Sequence, residues 1–424
     1  MKDRNAMHPE ALKNELQHCL KCGMCHQVCP TFKVTRQEYY APRGRVQIFK
    51  HYLEGNLALT PTLEHVFASC MLCDACAALC PNGVRIDLLL RHMRRELYEL
   101  TAKKLNKKII FAILRDGGRI KKASRLARWG QKLLVDIAGS NAKMGNIPIT
   151  RFPRITREPF TGKIPEKVSP RGKRSGRVIY FTGCATDLVY GDVGQAVLRV
   201  LLRLGIEVVI PRDQVCCSAP LFLNGATEAS LPNIFKNLAV LDRSDVDAIV
   251  VDCATCGAAL KKEIPELLED LGLDTDQARR VANKVKDVSQ IVSDRLDELH
   301  IQENWSGEPL LVTYHDPCHL VRGMGVTAEP RKILRNIGGI KFVEMEGSSE
   351  CCGGGGFYQF DSVDISAGIT ARKKHNVDAV SAQIIATGCP GCRLTLTGNM
   401  SGDQDREVLH TVQLLARFMP QEWT

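Results

Sequence analysis

Two stretches of this chain repeat one cysteine spacing: Cys19, Cys22, Cys25 and Cys29 before Pro30, and Cys70, Cys73, Cys76 and Cys80 before Pro81, both C-x2-C-x2-C-x3-C-P. Such a turn wraps three thiolates around one face of an iron-sulfur cube and sends the cysteine before proline to a neighbouring cluster. The spacing therefore predicts two [4Fe-4S] clusters with crossed ligands: Cys19, Cys22, Cys25 and Cys80 on one, Cys70, Cys73, Cys76 and Cys29 on the other. The alternative is a pair of four-thiolate zinc sites, although zinc motifs usually set two C-x2-C units across a longer spacer. Two adjacent cubes conduct single electrons and do not themselves transform an organic substrate.

The other ten of the 18 cysteines form two sets of five: Cys184, Cys216, Cys217, Cys253 and Cys256, then Cys318, Cys351, Cys352, Cys389 and Cys392. Corresponding members lie 134 to 136 residues apart, which marks an internal duplication. Side chains of consecutive residues diverge, and five thiolates exceed the four that a cube takes. Each set is therefore read as holding an opened, non-cubane cluster with one bridging thiolate, giving one or two such clusters in all. Its extra negative charge calls for backbone amides, and Gly353 to Gly356 after Cys352 would let the main chain come close. Structural zinc and a dithiol cycling through a disulfide are the alternatives.

The remainder of the chain is that of an ordinary globular protein. At 424 residues, 44% hydrophobic and 25% charged, it has material for two to four domains and for real cores. No apolar stretch approaches the roughly 18 residues of a spanning helix, and the polar opening is unlike a signal peptide, so a cytoplasmic protein is expected. The segment from Pro42 to Glu54 reads as helix. After Arg177, β-branched runs alternate with helical ones: Val178 to Phe181, Glu207 to Ile210 and Ile249 to Val251, then Leu310 to Tyr314, Lys341 to Glu344 and Gln383 to Ala386. Cysteines follow the strands, where α/β sheets hold their ligands.

The net charge of +10 is local: Arg91 to Arg177 holds 24 Lys or Arg against 6 Asp or Glu. Leu126, Trp129, Leu133, Leu134 and Ile137 recur there at helical spacing, interleaved with Arg125, Arg128 and Lys132. The first reading is that Trp129 and Leu133 pack onto the chain's own domains or a partner; the second is contact with an anionic membrane surface. Nucleic acid is not expected, since no aromatic-interleaved platform accompanies the charge. Pro148, Pro153, Pro159, Pro165 and Pro170 read as a linker. His18, His26, His315 and His319 flank cluster cysteines, either as bland polar residues or as donors to cluster sulfur. No Rossmann or P-loop fingerprint and no hydrolase constellation is present. No catalytic residue is singled out.

Taken together these motifs resemble the iron-sulfur subunits of glycolate oxidase, D-lactate dehydrogenase and anaerobic glycerol-3-phosphate dehydrogenase, and also the catalytic subunit of heterodisulfide reductase. Ala41-Pro42-Arg43-Gly44-Arg45-Val46-Gln47 with Leu53-Glu54-Gly55, and His315-Asp316-Pro317-Cys318-His319, are similar to the glycolate oxidase branch. The resemblance spans about residues 15 to 100 and 177 to 420. It implies a multidomain fold: a mainly α-helical two-cluster ferredoxin domain (1–100), a basic helical segment and Pro-rich linker (101–176), and two duplicated α/β cysteine-rich domains (177–305 and 306–424). It also implies electron transfer from a separate FAD-containing dehydrogenase subunit that oxidises a 2-hydroxy acid to a quinone or other acceptor. No flavin is expected on this chain, and little activity from the chain alone. Ser218 stands where the family pattern has glycine after the cysteine pair, which puts the first repeat's cluster in question. Both sets of five are complete, a feature shared with heterodisulfide reductase, so reduction of a disulfide at a non-cubane cluster is the alternative.

Overall fold

The computed structural model describes residues 9–101, 111–138, 143–144, 147–148, 151–301, 307–355, 358–400 and 406–420. The N-terminal unit is helical, with α1 (Pro9–Gln17), α2 (Pro30–Thr35), α3 (Pro42–Leu53), α4 (Pro61–Ala68), α5 (Ala75–Leu79) and α6 (Ile86–Thr101). In α2, α3 and α4 proline takes the first helical position: Pro30 after the thiol cap of Cys29, Pro42, and Pro61 after the Thr60 cap. The proline of the first cysteine motif is thus a helix start. The core joins Val46 and Phe49 of α3, Val66 and Phe67 of α4, and Leu89, Met93 and Leu97 of α6. Fully buried Arg45 ties α3 to the end of α4, donating to the Val66 carbonyl (2.9 Å) and to Ser69 Oγ (3.3 Å).

The helix α7 (Gly117–Ala138) occupies the basic segment, as its periodicity predicts. Packing of this face onto the chain's own described residues is not found: Leu126 is 75% exposed and Trp129 83%. Periodicity tells which residues share a face, not what covers it. The side chains of Leu133, Leu134 and Ile137 lie outside the described set, as does Gly356. The proline-rich stretch is no free tether. A short antiparallel pair, β1 (Lys143–Met144) and β2 (Ile147–Pro148), buries Ile147 against Gly398, where an added methyl would come within 2.5 Å. Phe160 is buried beneath Tyr180 and Gly194.

The second half holds two sheets of one topology. The first comprises β3 (Lys167–Val168), β4 (Gly176–Phe181), β5 (Ile206–Val209), β6 (Ala248–Val251) and β7 (Val285–Asp287) in the order β3-β5-β4-β6-β7. The second comprises β8 (Leu310–His315), β9 (Ile340–Phe342), β10 (Ile384–Thr387) and β11 (Glu407–His410) in the order β11-β10-β8-β9. Without the antiparallel edge strand β3, each sheet is parallel with order 2-1-3-4. All six runs read from the sequence are strands; β3, β7 and β11 were not anticipated. Alternation divides each strand between two cores: Ile179, Phe181, Ile249 and Val251 face one, Val178, Tyr180, Ala248 and Val250 the other. Both cores also contain residues of the second sheet, such as Ile385 and Tyr314, so the repeats pack as one body.

The repeats meet backbone to backbone. A methyl on Gly257, in helix Ala254–Ala258, would come within 2.1 Å of Met324 Sδ, and one on Gly323 within 2.4 Å of Ala258 Cβ. Nothing larger fits without forcing the repeats apart. Gly323→Leu is expected to cost about 1–3 kcal/mol through overpacking, seen as a lower thermal midpoint by circular dichroism; an unchanged midpoint would show that this contact is not tight.

Candidate metal centres

In a parallel sheet of order 2-1-3-4 the crevice between strands one and three opens at their carboxyl ends, the usual ligand position. Both repeats put cysteines there. Cys184 follows the end of β4 and Cys253 the end of β6; Cys318 follows β8 and Cys389 follows β10. The adjacent pairs Cys216-Cys217 and Cys351-Cys352 come from the chain after the second strand of each repeat, and Cys256 and Cys392 from the helices after the third. Cys216 Sγ lies 4.0 Å from Cys184 Sγ, and Cys256 Sγ lies 3.4 Å from Cys217 Sγ. These bracket the S···S edge of about 3.7 Å that follows from a tetrahedral metal with bonds of about 2.3 Å.

Backbone amides point at the sulfurs. Cys256 N–H meets Cys253 Sγ (3.5 Å) and Gly353 N–H meets Cys351 Sγ (3.4 Å), the close main-chain approach expected after Cys352. In each repeat the second member of the adjacent pair is a thiol held toward its ionised form. Hydrogen bonds from Cys216 and Cys256 bring Cys217 down to about 5. Those from Cys351 and Cys392, with His315, hold Cys352 well below the usual thiol range. Ser218 adopts the left-handed conformation (φ 67°) that Gly353 adopts in the second repeat (φ 91°), so the substituted turn keeps its path.

The two sets converge on a shared cavity of about 240 Å³ lined by nine of the ten cysteines; Cys216 sits behind Cys184. Across the repeat boundary Thr255 Oγ1 lies 3.7 Å from Cys389 Sγ, and a hydrogen bond from Cys253 holds the Cys389 thiol well below its ordinary value. Buried His315, Cys352 and Cys392 offer ligand atoms all within 4.8 Å of one another. His319 Nδ1 lies 3.7 Å from Cys318 Sγ and its Nε2 3.5 Å from Glu263; burial opposes its charge, but Cys318 and Glu263 raise its pKa well above the usual value. His18 lies 3.9 Å from Glu15, while His26 packs at a tilt against Phe32 (ring centroids 4.4 Å apart) and lies 3.5 Å from Glu38.

The N-terminal cysteines lie beside these. Burial pushes the Cys29 thiol up, and Cys70 adds to the effect; burial also raises Cys76, reinforced by Cys73, Cys70 and Cys29. Cys29 thus sits with the second motif. The Cys25 thiol, raised to about 11 by burial, is influenced by Cys19, Cys29 and Cys22. Asn82, two residues past Cys80, donates to the His18 carbonyl (2.9 Å), bringing the Cys80 turn to the first motif. Phe32 and Leu72 donate main-chain N–H groups to Cys29 (3.5 Å) and Cys70 (3.4 Å). Cys73 is held up by burial and by Cys318, and Arg322 donates to its carbonyl (3.3 Å). The second motif therefore abuts the second repeat.

Sequence reasoning missed Arg94, whose guanidinium joins the Phe67, Ala68 and Cys70 carbonyls to that of Leu223 in the first repeat. Its one signal is a cation on an apolar helix face. It also missed Asp252, buried below the cavity, which accepts from Thr186 (2.6 Å).

Thiol donors, short S···S edges and inward-facing amides fit iron-sulfur clusters, and the comparisons agree. Residues 15–84 match the family described as 4Fe-4S dicluster domain, and residues 178–261 and 312–397 each match the cysteine-rich domain family. These domains define an iron-sulfur protein with a duplicated cysteine-rich body. The chain is 30% identical to the probable glycolate oxidase iron-sulfur subunit of Bacillus subtilis, covering 91% of this chain and 89% of that one. It is also 30% identical to a subunit of the fumarate reductase (CoM/CoB) of Methanothermobacter marburgensis, covering 95% and 72%. Identity to a subunit of the dihydromethanophenazine:CoB–CoM heterodisulfide reductase of Methanosarcina acetivorans is 26%, covering 96% and 94%. The chain belongs to the family of oxidoreductase iron-sulfur subunits that includes those of glycolate oxidase and their heterodisulfide reductase counterparts.

Left-handed backbone costs a non-glycine residue about 1–2 kcal/mol, part of which glycine returns through its freer unfolded state. Ser218→Gly is therefore expected to stabilise the protein by about 0.5–1 kcal/mol while keeping its iron content, measured by thermal melting and iron assay; a fall in either would show that the serine is required.

Proposed function

We propose that this chain is the electron-transfer subunit of a flavin-dependent 2-hydroxy acid dehydrogenase of the glycolate or D-lactate type, passing electrons from a partner's FAD to a quinone or other acceptor. The observation that carries this is the succession of thiols, each within electrostatic reach of the next, from exposed Cys22 through Cys25, Cys29, Cys70 and Cys73 to Cys318 and the inter-repeat cavity. Two [4Fe-4S] clusters on the N-terminal cysteines, with crossed ligands, and a non-cubane cluster on each set of five would supply one-electron transfer along that line. The chain's own part is to hold the thiolates with main-chain N–H groups, to bury them from water, and to clamp the second motif onto the repeats through Arg94 and Arg322. Cys22→Ser is expected to leave hydroxy acid reduction of the partner flavin intact while abolishing reduction of an added quinone, both followed optically; unchanged quinone reduction would overturn the reading.

Disulfide reduction at the cavity is a second reading, favoured by the convergence of two complete five-cysteine sets on one space. It predicts turnover of a disulfide with a reduced dye and no flavoprotein present.

No described helix is long and apolar enough to cross a membrane. On α7, exposed Leu126 and Trp129 stand among exposed Arg119, Lys122, Arg125 and Arg128, a composition suited to an anionic lipid surface. We assign α7 to peripheral membrane contact, close to a lipid-dissolved acceptor. At about 1 kcal/mol per cation near such a surface, replacing Arg125 and Arg128 by Gln is expected to weaken co-sedimentation with phosphatidylserine-containing vesicles about ten- to thirty-fold; equal sedimentation would remove α7 from any membrane role.

A further inference from the structure

The two four-cysteine loops are copies of one backbone. Lys21 and Leu72 share a left-handed conformation (φ 58° and 46°), as do the next pair but one, Gly23 and Asp74 (φ 83° and 56°). Leu20 thus corresponds to Met71, Cys22 to Cys73 and Met24 to Ala75. Their surroundings differ. The second loop is docked within the chain: Met71, 8% exposed, packs with Tyr358 and Ile369, Cys73 lies among the same side chains, and Arg322 holds its carbonyl. The first loop offers the equivalent face to solvent, with Leu20 72% exposed and Met24 41%. All 18 cysteines are among the described residues, and Cys22 alone of them is exposed.

Apolar side chains standing in water beside an exposed redox ligand do not serve the fold of this chain. In the second loop the same positions form a seam between one redox domain and another. The loop itself is held firmly: Arg43 donates to the Lys21 carbonyl (2.8 Å) and to Glu38 (2.8 Å). With exposed Tyr39 on the adjoining turn, it has the anatomy of a docking patch, an apolar centre inside a charged rim of Lys21, Glu38 and Arg43. Methionine suits such a contact because its flexible thioether adapts to the opposing surface.

We propose that the face formed by Leu20, Cys22 and Met24 is the docking site for the electron donor, and that the donor is a protein, the FAD-bearing dehydrogenase subunit. This rests on the proposed function for the donor's identity. It adds the direction of flow: electrons enter at the first loop and leave the dicluster unit at the second.

The test uses the full chain with its FAD-bearing partner. Affinity is measured by isothermal titration, and cluster reduction is followed by stopped flow after hydroxy acid is added. Leu20→Glu combined with Met24→Glu is expected to raise Kd tenfold or more and to slow reduction by the flavoprotein to the same extent. Reduction by dithionite and the electron paramagnetic resonance spectra should be unchanged, which separates lost docking from lost clusters. Leu20→Ile combined with Met24→Leu should keep wild-type affinity, as should Phe235→Glu at an exposed site elsewhere. Wild-type affinity and rate in the double Glu variant would overturn the docking face while leaving the proposed function standing. Loss of electron output to the acceptor with normal reduction by the flavoprotein would overturn it too, by making this face the exit. If the wild-type chain neither binds the flavoprotein nor is reduced by it, both the face and the proposed function fail.

Discussion

The close approach of the two repeats is the constraint on which the site depends. Gly257 lies against Met324 and Gly323 against Ala258, and this contact lets Cys253 of one repeat hydrogen-bond Cys389 of the other. Parallel sheets of order 2-1-3-4 each open a crevice at their carboxyl ends. Two such sheets set side by side would ordinarily present two separate sites. Here the small residues bring the helix after β6 against the turn after β8, and two crevices become one cavity. The shared cores follow from the same closeness, since neither sheet could otherwise cover its inner strands on both sides.

Gathering nine thiols around that space, with Cys216 beside Cys184, carries an electrostatic cost that the fold manages locally. Hydrogen bonds to a neighbouring sulfur, and then burial, which strips a thiolate of its water, push Cys184, Cys256, Cys351 and Cys392 upward. Only where several thiols donate to one sulfur, as at Cys217, Cys352 and Cys389, does the value fall. Metal binding replaces thiol protons and so couples cluster loading to the stability of the whole repeat pair. Left-handed turns at Ser218 and Gly353 belong to the same economy, aiming main-chain N–H groups rather than side chains at the sulfurs. Backbone donors serve well there because they add no volume and cannot rotate away.

Much of this was legible in the sequence, and the reason is chemical. Cysteine spacing is set by the geometry of the group it holds, so the motifs, the duplication and the strand-end positions of Cys184, Cys253, Cys318 and Cys389 could be read directly. The unread strands, β3 (Lys-Val), β7 (Val-Lys-Asp) and β11 (Glu-Val-Leu-His), are short and carry charge, and become strands through pairing with β5, β6 and β10. Trp129 shows a related limit: its spacing identifies a helix face, but only tertiary structure shows that this chain leaves that face uncovered. The inter-repeat cavity was not readable at all. It arises from glycines some 66 residues apart, Gly257 and Gly323, whose meaning depends on the docking they permit.

Duplication also supplies internal controls, since each copy shows what the shared backbone does under different cover. Ser218 against Gly353 separates what the turn requires, a left-handed residue, from what the family usually places there. β3 pairs with β5 at the edge of the first sheet, while the corresponding strand of the second, β9, has only β8 beside it among the described residues and sets Arg335 over Phe342 (5.4 Å), with Lys341 exposed on the same strand. An edge guarded by cations resists pairing with another chain as surely as a covered one. Where the copies differ without such a guard, a partner is the economical explanation. The first cysteine loop differs in this way: it keeps the backbone and apolar character of the second, but Leu20 and Met24 stand exposed where Met71 is covered by Tyr358 and Ile369. The N-terminal unit thus has one cysteine loop turned inward onto the repeats and one turned outward, the arrangement that the proposed relay from a partner to this chain's own repeats requires.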